Sequence, residues 1–348
     1  MSELWFAIAS VMLAIYVVMD GFDFGAGALH LFVAKTDGER RQVLAAIGPF
    51  WDGNEVWLLA LGGVLFVAFP TVLASGLSGF YFAIFLVLWS FILRGIAIEF
   101  RSHLEAGTWR AAWDFVFATA SIALPILFGA ALGNLLRGLP LDHDGWFSLA
   151  LFTDFTARDP VGILDWYTVS VGVFALLALV AHGALFLAWK TDGAVHERTR
   201  ASALWLYAGV ALLLPLLSIG TNVVRPGFFG NVAGRPLAVM AALVAAGGMV
   251  TVFAGLRRHA HLTAFIGSAA FLAGLLAATA AAVFPVMLHA TGGDALSLTA
   301  YNASATESSL RIAIRWWLVG IPLVAIYFTT VFRIHRGKAV AAVGREGY

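Results

Sequence analysis

The chain has 348 residues, 61% of them hydrophobic and only 12% charged, with a net charge of +1. A soluble domain carries about 25% charged residues, so this composition marks a polytopic membrane protein, and it shows no basic patch of the kind a nucleic-acid binder needs. The absence of cysteine excludes disulfides, iron–sulfur clusters and thiolate-ligated haem or metal within the chain.

A transmembrane helix needs about 20 mostly apolar residues. The first candidate is 5–30. Its start, MSELWF, has no basic n-region and its apolar run meets Asp20, so it reads as a retained helix rather than a cleaved signal. The others are 53–74, 79–100, 112–134, 164–189, 201–221, 237–256, 262–285 and 312–332, nine spans in all. The expected fold is therefore all-α, with 1–348 forming one integral-membrane domain. Pro70, Pro125, Pro215, Pro285 and Pro322 lie inside or at the ends of these spans, which membrane helices tolerate. Gly21 and Gly25, and the pair Gly247-Gly248, suit close helix contact. The substantial loops are 135–163 and the Ser/Thr-rich 290–310.

Lysine and arginine orient the chain. The odd-numbered loops and the C-terminal tail hold Lys35, Arg40, Arg41, Arg101, Arg110, Lys190, Arg198, Arg200, Arg257, Arg258, Arg333, Arg336, Lys338 and Arg345. The N-terminus and even-numbered loops hold Arg137, Arg158, Arg225, Arg235 and Arg311. Fourteen against five places the N-terminus in the periplasm and the C-terminus in the cytoplasm. Several tryptophans, among them Trp5, Trp109, Trp316 and Trp317, fall near span ends, as an aromatic belt requires.

Charges inside spans are costly, about 2.5–3.5 kcal/mol each on insertion scales. Asp20, Asp23, Asp52, Glu55, Arg94 and Glu99 all fall in or at the ends of the first three spans, at the same membrane side. Asp20, Asp23, Gly27 and His30 share one helix face by their 3–4 spacing. The functional reading is a proton relay through Asp52, Glu55, Asp20, Asp23 and Glu99, with Asp52 foremost because Pro49, Gly53 and Asn54 make its surroundings irregular and wet. The structural reading is that Arg94 pairs with Asp23 or Glu99 and the network fixes helix packing.

His30, His182 and His289 are the intramembrane histidines. His30 and His182 at matched depth could hold a haem between them; the plainer reading is that each is a hydrogen-bonded core histidine. His143, His196, His259, His261 and His335 have no metal spacing. No P-loop, dinucleotide fingerprint or nucleophile elbow is present, so an ATP-driven pump or membrane hydrolase finds no support.

Two polar blocks inside membrane helices carry a resemblance. Asp20-Gly21-Phe22-Asp23-Phe24-Gly25 and Trp51-Asp52-Gly53-Asn54-Glu55-Val56-Trp57 resemble subunit II of the cytochrome bd-type quinol oxidases. The likeness continues through Arg94 to Glu99-Phe100-Arg101, Gly133-Asn134-Leu135-Leu136 and His196-Glu197-Arg198-Thr199-Arg200, and is weaker towards the C-terminus. It implies a chain of the bacterial cytoplasmic membrane that pairs with a haem-bearing subunit I and binds no haem, metal or other cofactor itself. It also implies haems b and d, or b alone in the cyanide-insensitive branch, in that partner, quinol as the substrate of the complex, oxygen reduced to water, and chemical protons drawn from the cytoplasm. A small single-span subunit, quinone and lipid are compatible partners. The match carries Asp52 over as a member of the proton uptake route, and Asp20, Asp23, Arg94, Glu99, Trp51 and Trp57 as matched motif positions. Two departures stand out: Phe50 where some members have histidine, and Glu55 where glutamine is common.

The competing class is a proton- or cation-coupled secondary transporter using the same acids. Such proteins often show inverted repeats and midplane charges. Here no repeat is visible and the charges gather at one end.

Overall fold

The computed structural model describes residues 1–340, so Arg345 lies outside the described residues. The helices are α1 (Ser2–Val33), α2 (Asp37–Ile47), α3 (Trp51–Ala68), α4 (Pro70–Gly79), α5 (Tyr81–Phe100), α6 (Gly107–Arg137), α7 (Trp166–Lys190), α8 (Gly193–Val224), α9 (Phe228–Gly234), α10 (Pro236–Arg257), α11 (His261–Val283) and α12 (Glu307–Ile334). Among the described residues eight helices are long and apolar enough to cross a membrane, and α3 supplies a ninth when joined to α2, from which it bends by 43°. Eight of the nine expected spans have a single helix, the second (53–74) is divided between α3 and α4, and the protein is an all-α polytopic membrane protein.

The second span, expected over 53–74, breaks after Ala68. Phe69 leaves helical geometry (φ −137°, ψ 60°) because the residue before Pro70 is pushed out of the α region, and α4 restarts with that proline at its first turn. Three elements were not expected. The first, α2, begins with a capping box between Thr36 and Glu39 and buries Val43, Leu44, Ala46 and Ile47. The second is α9. The third is a short antiparallel pair of strands, β1 (Val286–Leu288), just before the loop expected over 290–310, and β2 (Leu298–Thr299), inside it.

The central helix is α1, packed against α3, α6, α7 and α11. Gly25 and Gly183 bring α1 and α7 into backbone contact: a Cβ on Gly25 would lie 2.8 Å from the Gly183 Cα. In the α10–α11 pair the contact residue is Gly248, whose Cβ would lie 2.6 Å from the Gly267 carbonyl oxygen; Gly247 faces open space. At the end opposite α2, Leu139 is tied to the strand pair (Leu139 N to His289 O, 2.8 Å; Thr291 N to Leu139 O, 2.9 Å), and Asp165 caps α7 with a capping box to Thr168. The least enclosed helix is α12, in which Leu310 alone is buried. Between it and α1 and α3 lies an almost wholly apolar groove of about 620 Å³, lined by Trp5, Met12, Trp57, Trp316, Trp317 and Phe328 among others.

Candidate functional site

The 3–4 spacing on α1 points Asp20 and Asp23 towards α3 and α5, where Arg94 meets them. Arg94 Nη2 lies 3.2 Å from Asp20 Oδ1 and 3.9 Å from Asp23 Oδ2, and Arg94 Nη1 donates to Glu55 Oε1 at 2.5 Å. Arg94, Asp20 and Asp23 are fully buried, whereas the Glu55 side chain keeps 22% of its exposure. Asn54 Nδ2 donates to Asp23 Oδ2 at 2.7 Å and to the Met19 carbonyl at 3.1 Å, fastening α3 to α1. The Arg94 guanidinium also stands 4.8 Å over the Phe24 ring. Both Asp20 carboxylate oxygens, Asp23 Oδ1, Asn54 Oδ1 and the Tyr16 hydroxyl are buried without a hydrogen-bond partner among the described residues. Buried polar atoms of this kind are ordinarily satisfied by internal water.

The structure therefore gathers four of the six expected charges, Asp20, Asp23, Glu55 and Arg94. Asp52 lies exposed in the first turn of α3 at the same end, an electrostatic neighbour of Glu55. Glu99 lies exposed near the end of α5 and is not among the acids that pair with Arg94. Trp51 is half-buried beside Gly95, and Trp57 is buried, stacked on Phe328 at 5.8 Å, on the wall of the apolar groove.

His30 does not join this cluster. About two turns closer to the α2 end, its Nε2 meets Asp114 Oδ1 at 2.6 Å. Asp114 also accepts from Arg101 Nε at 2.6 Å and Arg40 Nη1 at 2.8 Å, and Asp37 links Arg101 (2.8 Å) to Arg110 (3.0 Å). This second network clamps α2 onto α1, α5 and α6. Asp114 was overlooked in the sequence although it lies inside the 112–134 span; a lone acid there was the signal. His182 donates from Nε2 to the Val18 carbonyl at 3.0 Å, since a carbonyl only accepts. Its Nδ1 must then accept, from the Ser268 hydroxyl at 2.5 Å, and Ser268 in turn accepts from Tyr207. Both His182 nitrogens are thus engaged within the chain, whereas His30 is held by Asp114 through Nε2 and its Nδ1 has no hydrogen-bond partner among the described residues. At the opposite end Arg137 is buried against Asp165 and Asn134, an ion pair that joins the end of α6 to the start of α7. Among the described residues no group of three histidine or acidic side chains is arranged to hold a metal ion.

Residues 1–335 match the family described as cytochrome bd terminal oxidase subunit II. The chain is 31% identical to cytochrome bd-I ubiquinol oxidase subunit 2 of Escherichia coli, an alignment that covers 93% of this chain and 91% of that one. It is 31% identical to cytochrome bd ubiquinol oxidase subunit 2 of Bacillus subtilis, covering 89% and 88%. Its fold superposes on a chain of the bd oxidase from Geobacillus thermodenitrificans with a TM-score of 0.76 at 18% identity, over 96% of this chain and 98% of that one. With its acids and their arginine held between α1, α3 and α5 of an all-α membrane fold, the chain belongs to the cytochrome bd terminal oxidase subunit II family.

Proposed function

We propose that this chain delivers cytoplasmic protons to a quinol:oxygen oxidoreductase whose haems, b and d or b alone, are held by the partner subunit I. One observation carries the reading: a single guanidinium serves three carboxylates. With all three ionised the cluster would hold two negative charges in excess, in a place where two of the acids touch no solvent. Like charges so close and so poorly solvated do not all ionise. The electrically neutral cluster carries two protons on three carboxyls, and it exchanges them while its remaining negative charge stays beside Arg94. Asp52 is the surface acid that feeds it, Glu55 the partly exposed relay, and Asp20 and Asp23 the buried store. Glu99 collects protons at the surface of the same end.

In this account the N-terminus is periplasmic, the C-terminus cytoplasmic, and the membrane is the bacterial inner membrane. Quinol is oxidised and oxygen reduced in the complex, with redox chemistry supplied by the partner's haems. This chain supports assembly with subunit I and supplies protons. In the intact complex, Asp52→Asn should slow quinol oxidase turnover about tenfold or more while haem content and yield persist. Loss of complex yield in its place would assign Asp52 a structural role and reject the relay.

A further inference from the structure

At the α2 end of the molecule, the turn between α10 and α11 reads Arg257-Arg258-His259-Ala260-His261. His259 takes a left-handed backbone (φ 55°) that favours glycine, and the turn closes through Ala260 N to Gly255 O at 2.9 Å. The turn faces α8. Arg200 Nη1 lies 3.2 Å from His259 Nδ1, and the rings of His196 and His261 meet edge-on at 4.8 Å. Basic groups here are packed against one another. Glu197, 3.1 Å from Arg200, is the acid that pairs among them. Arg257 and Arg258 are exposed and, among the described residues, pair with no carboxylate. Arg200 Nε and His261 Nδ1 are buried without a hydrogen-bond partner. Ala260 gives α11 no side-chain cap, so first-turn N–H groups of a 23-residue helix open onto the same place.

The most deeply buried arginines of this chain are paired from within. Arg94 has buried Asp20, Arg101 has Asp114 and Arg137 has Asp165, and Arg235 donates to the Ala281, Ala282 and Phe284 carbonyls near the end of α11. In the turn cluster Glu197 serves Arg200, and Arg257 and Arg258 have no such counterpart among the described residues. Beside it the outward faces of α8, α10 and α11 are apolar, with Trp205, Val250 and Leu262 exposed. A cationic knot at the end of an acyl-compatible surface fits a ligand with an anionic head and hydrocarbon tails.

We propose that this cluster binds the phosphate of an anionic phospholipid headgroup, with Arg257, Arg258 and Arg200 as its charge partners and the acyl chains lying along α8 and α10. The site is separate from the proton route. The test uses the intact oxidase complex, stripped of lipid in detergent and incubated with phosphatidylglycerol or with phosphatidylcholine of the same chains. Bound lipid is counted after extraction. The wild-type complex should retain phosphatidylglycerol about tenfold or more over phosphatidylcholine. R257Q/R258Q should abolish that preference with an unchanged haem spectrum, and millimolar inorganic phosphate should not displace the lipid. Equal retention of the two lipids, an undiminished preference in the double variant, or displacement by inorganic phosphate would each overturn the proposal. If the double variant does not assemble, R257Q and R258Q singly carry the test, each expected to lower the preference severalfold; two unchanged single variants would count against it.

Discussion

Replacing Arg94 with alanine leaves Asp20 and Asp23, neither of which touches solvent, without a cation. Breaking a buried pair by removing one partner costs about 3–5 kcal/mol, so Arg94→Ala should lower the yield of assembled complex. If unpaired acids are the cause, Arg94→Gln should recover part of its lost yield when Asp20→Asn is added; a double variant no better than Arg94→Gln alone would show that packing over Phe24 matters more. At this scale much was legible. Acids in apolar spans are rare enough to stand out, and periodicity put Asp20 and Asp23 on one face. It also put His30 on that face, but α1 meets different neighbours about two turns later, and Asp114 on α6 takes the histidine. Periodicity fixes direction around a helix, not which helix is met there. Tyr16 and Asp114 were missed, and the bond of Asn54 to Asp23 was not foreseen, because composition marks charge in the first spans and says nothing about which neutral or later groups complete the cluster.

Between elements, small residues and terminal pairs decide the packing. Gly248→Ala forces a Cβ against the backbone of α11, whereas Gly247→Ala meets nothing. The first should destabilise by about 1–3 kcal/mol and the second should be near neutral, read as the thermal unfolding midpoint of the purified complex; equal effects would contradict the α10–α11 contact. The glycine pair was visible in the sequence, but which member faces the neighbour was not. In α2, Glu39 Oε2 accepts from Arg198 (2.7 Å) and from the Lys35 (2.5 Å) and Thr36 (3.3 Å) amides. The Arg198 guanidinium, with those amides, holds the Glu39 carboxyl below the usual carboxylate range. A depressed acid stabilises the fold above its unfolded pKa and ceases to do so as pH falls through its folded value. Docking of α2 should therefore weaken on acidification below that range, and Glu39→Gln should flatten this dependence in amide exchange of α2. Hydropathy could not find α2, which is too short and polar; the Thr36-to-Glu39 capping box was its only signal. Three of the five exceptions to the charge asymmetry have local reasons: Arg225 and Arg235 donate to carbonyls near the ends of α6 and α11, and Arg137 to Asp165.

For the molecule as a whole, the proposed orientation is testable because the chain has no cysteine of its own. A membrane-impermeant thiol reagent added outside whole cells or spheroplasts should label Ala150→Cys, in the exposed 138–165 loop, and spare Gly38→Cys in α2, whose surroundings are open. The reverse pattern would invert the account. Among the described residues eight of the nine expected spans were readable from hydropathy as single helices, and family membership from two polar blocks. The loosely held α12 and its apolar groove were not readable, because what a helix leaves uncovered depends on its neighbours. The most direct test of the central claim follows proton uptake from the cytoplasmic side during oxygen reduction, using a pH dye with the intact complex carrying Glu55→Gln or Asp52→Asn. Uptake slowed about tenfold or more, with haem content unchanged, is the predicted result. Uptake at the wild-type rate in both variants would contradict delivery through the cluster.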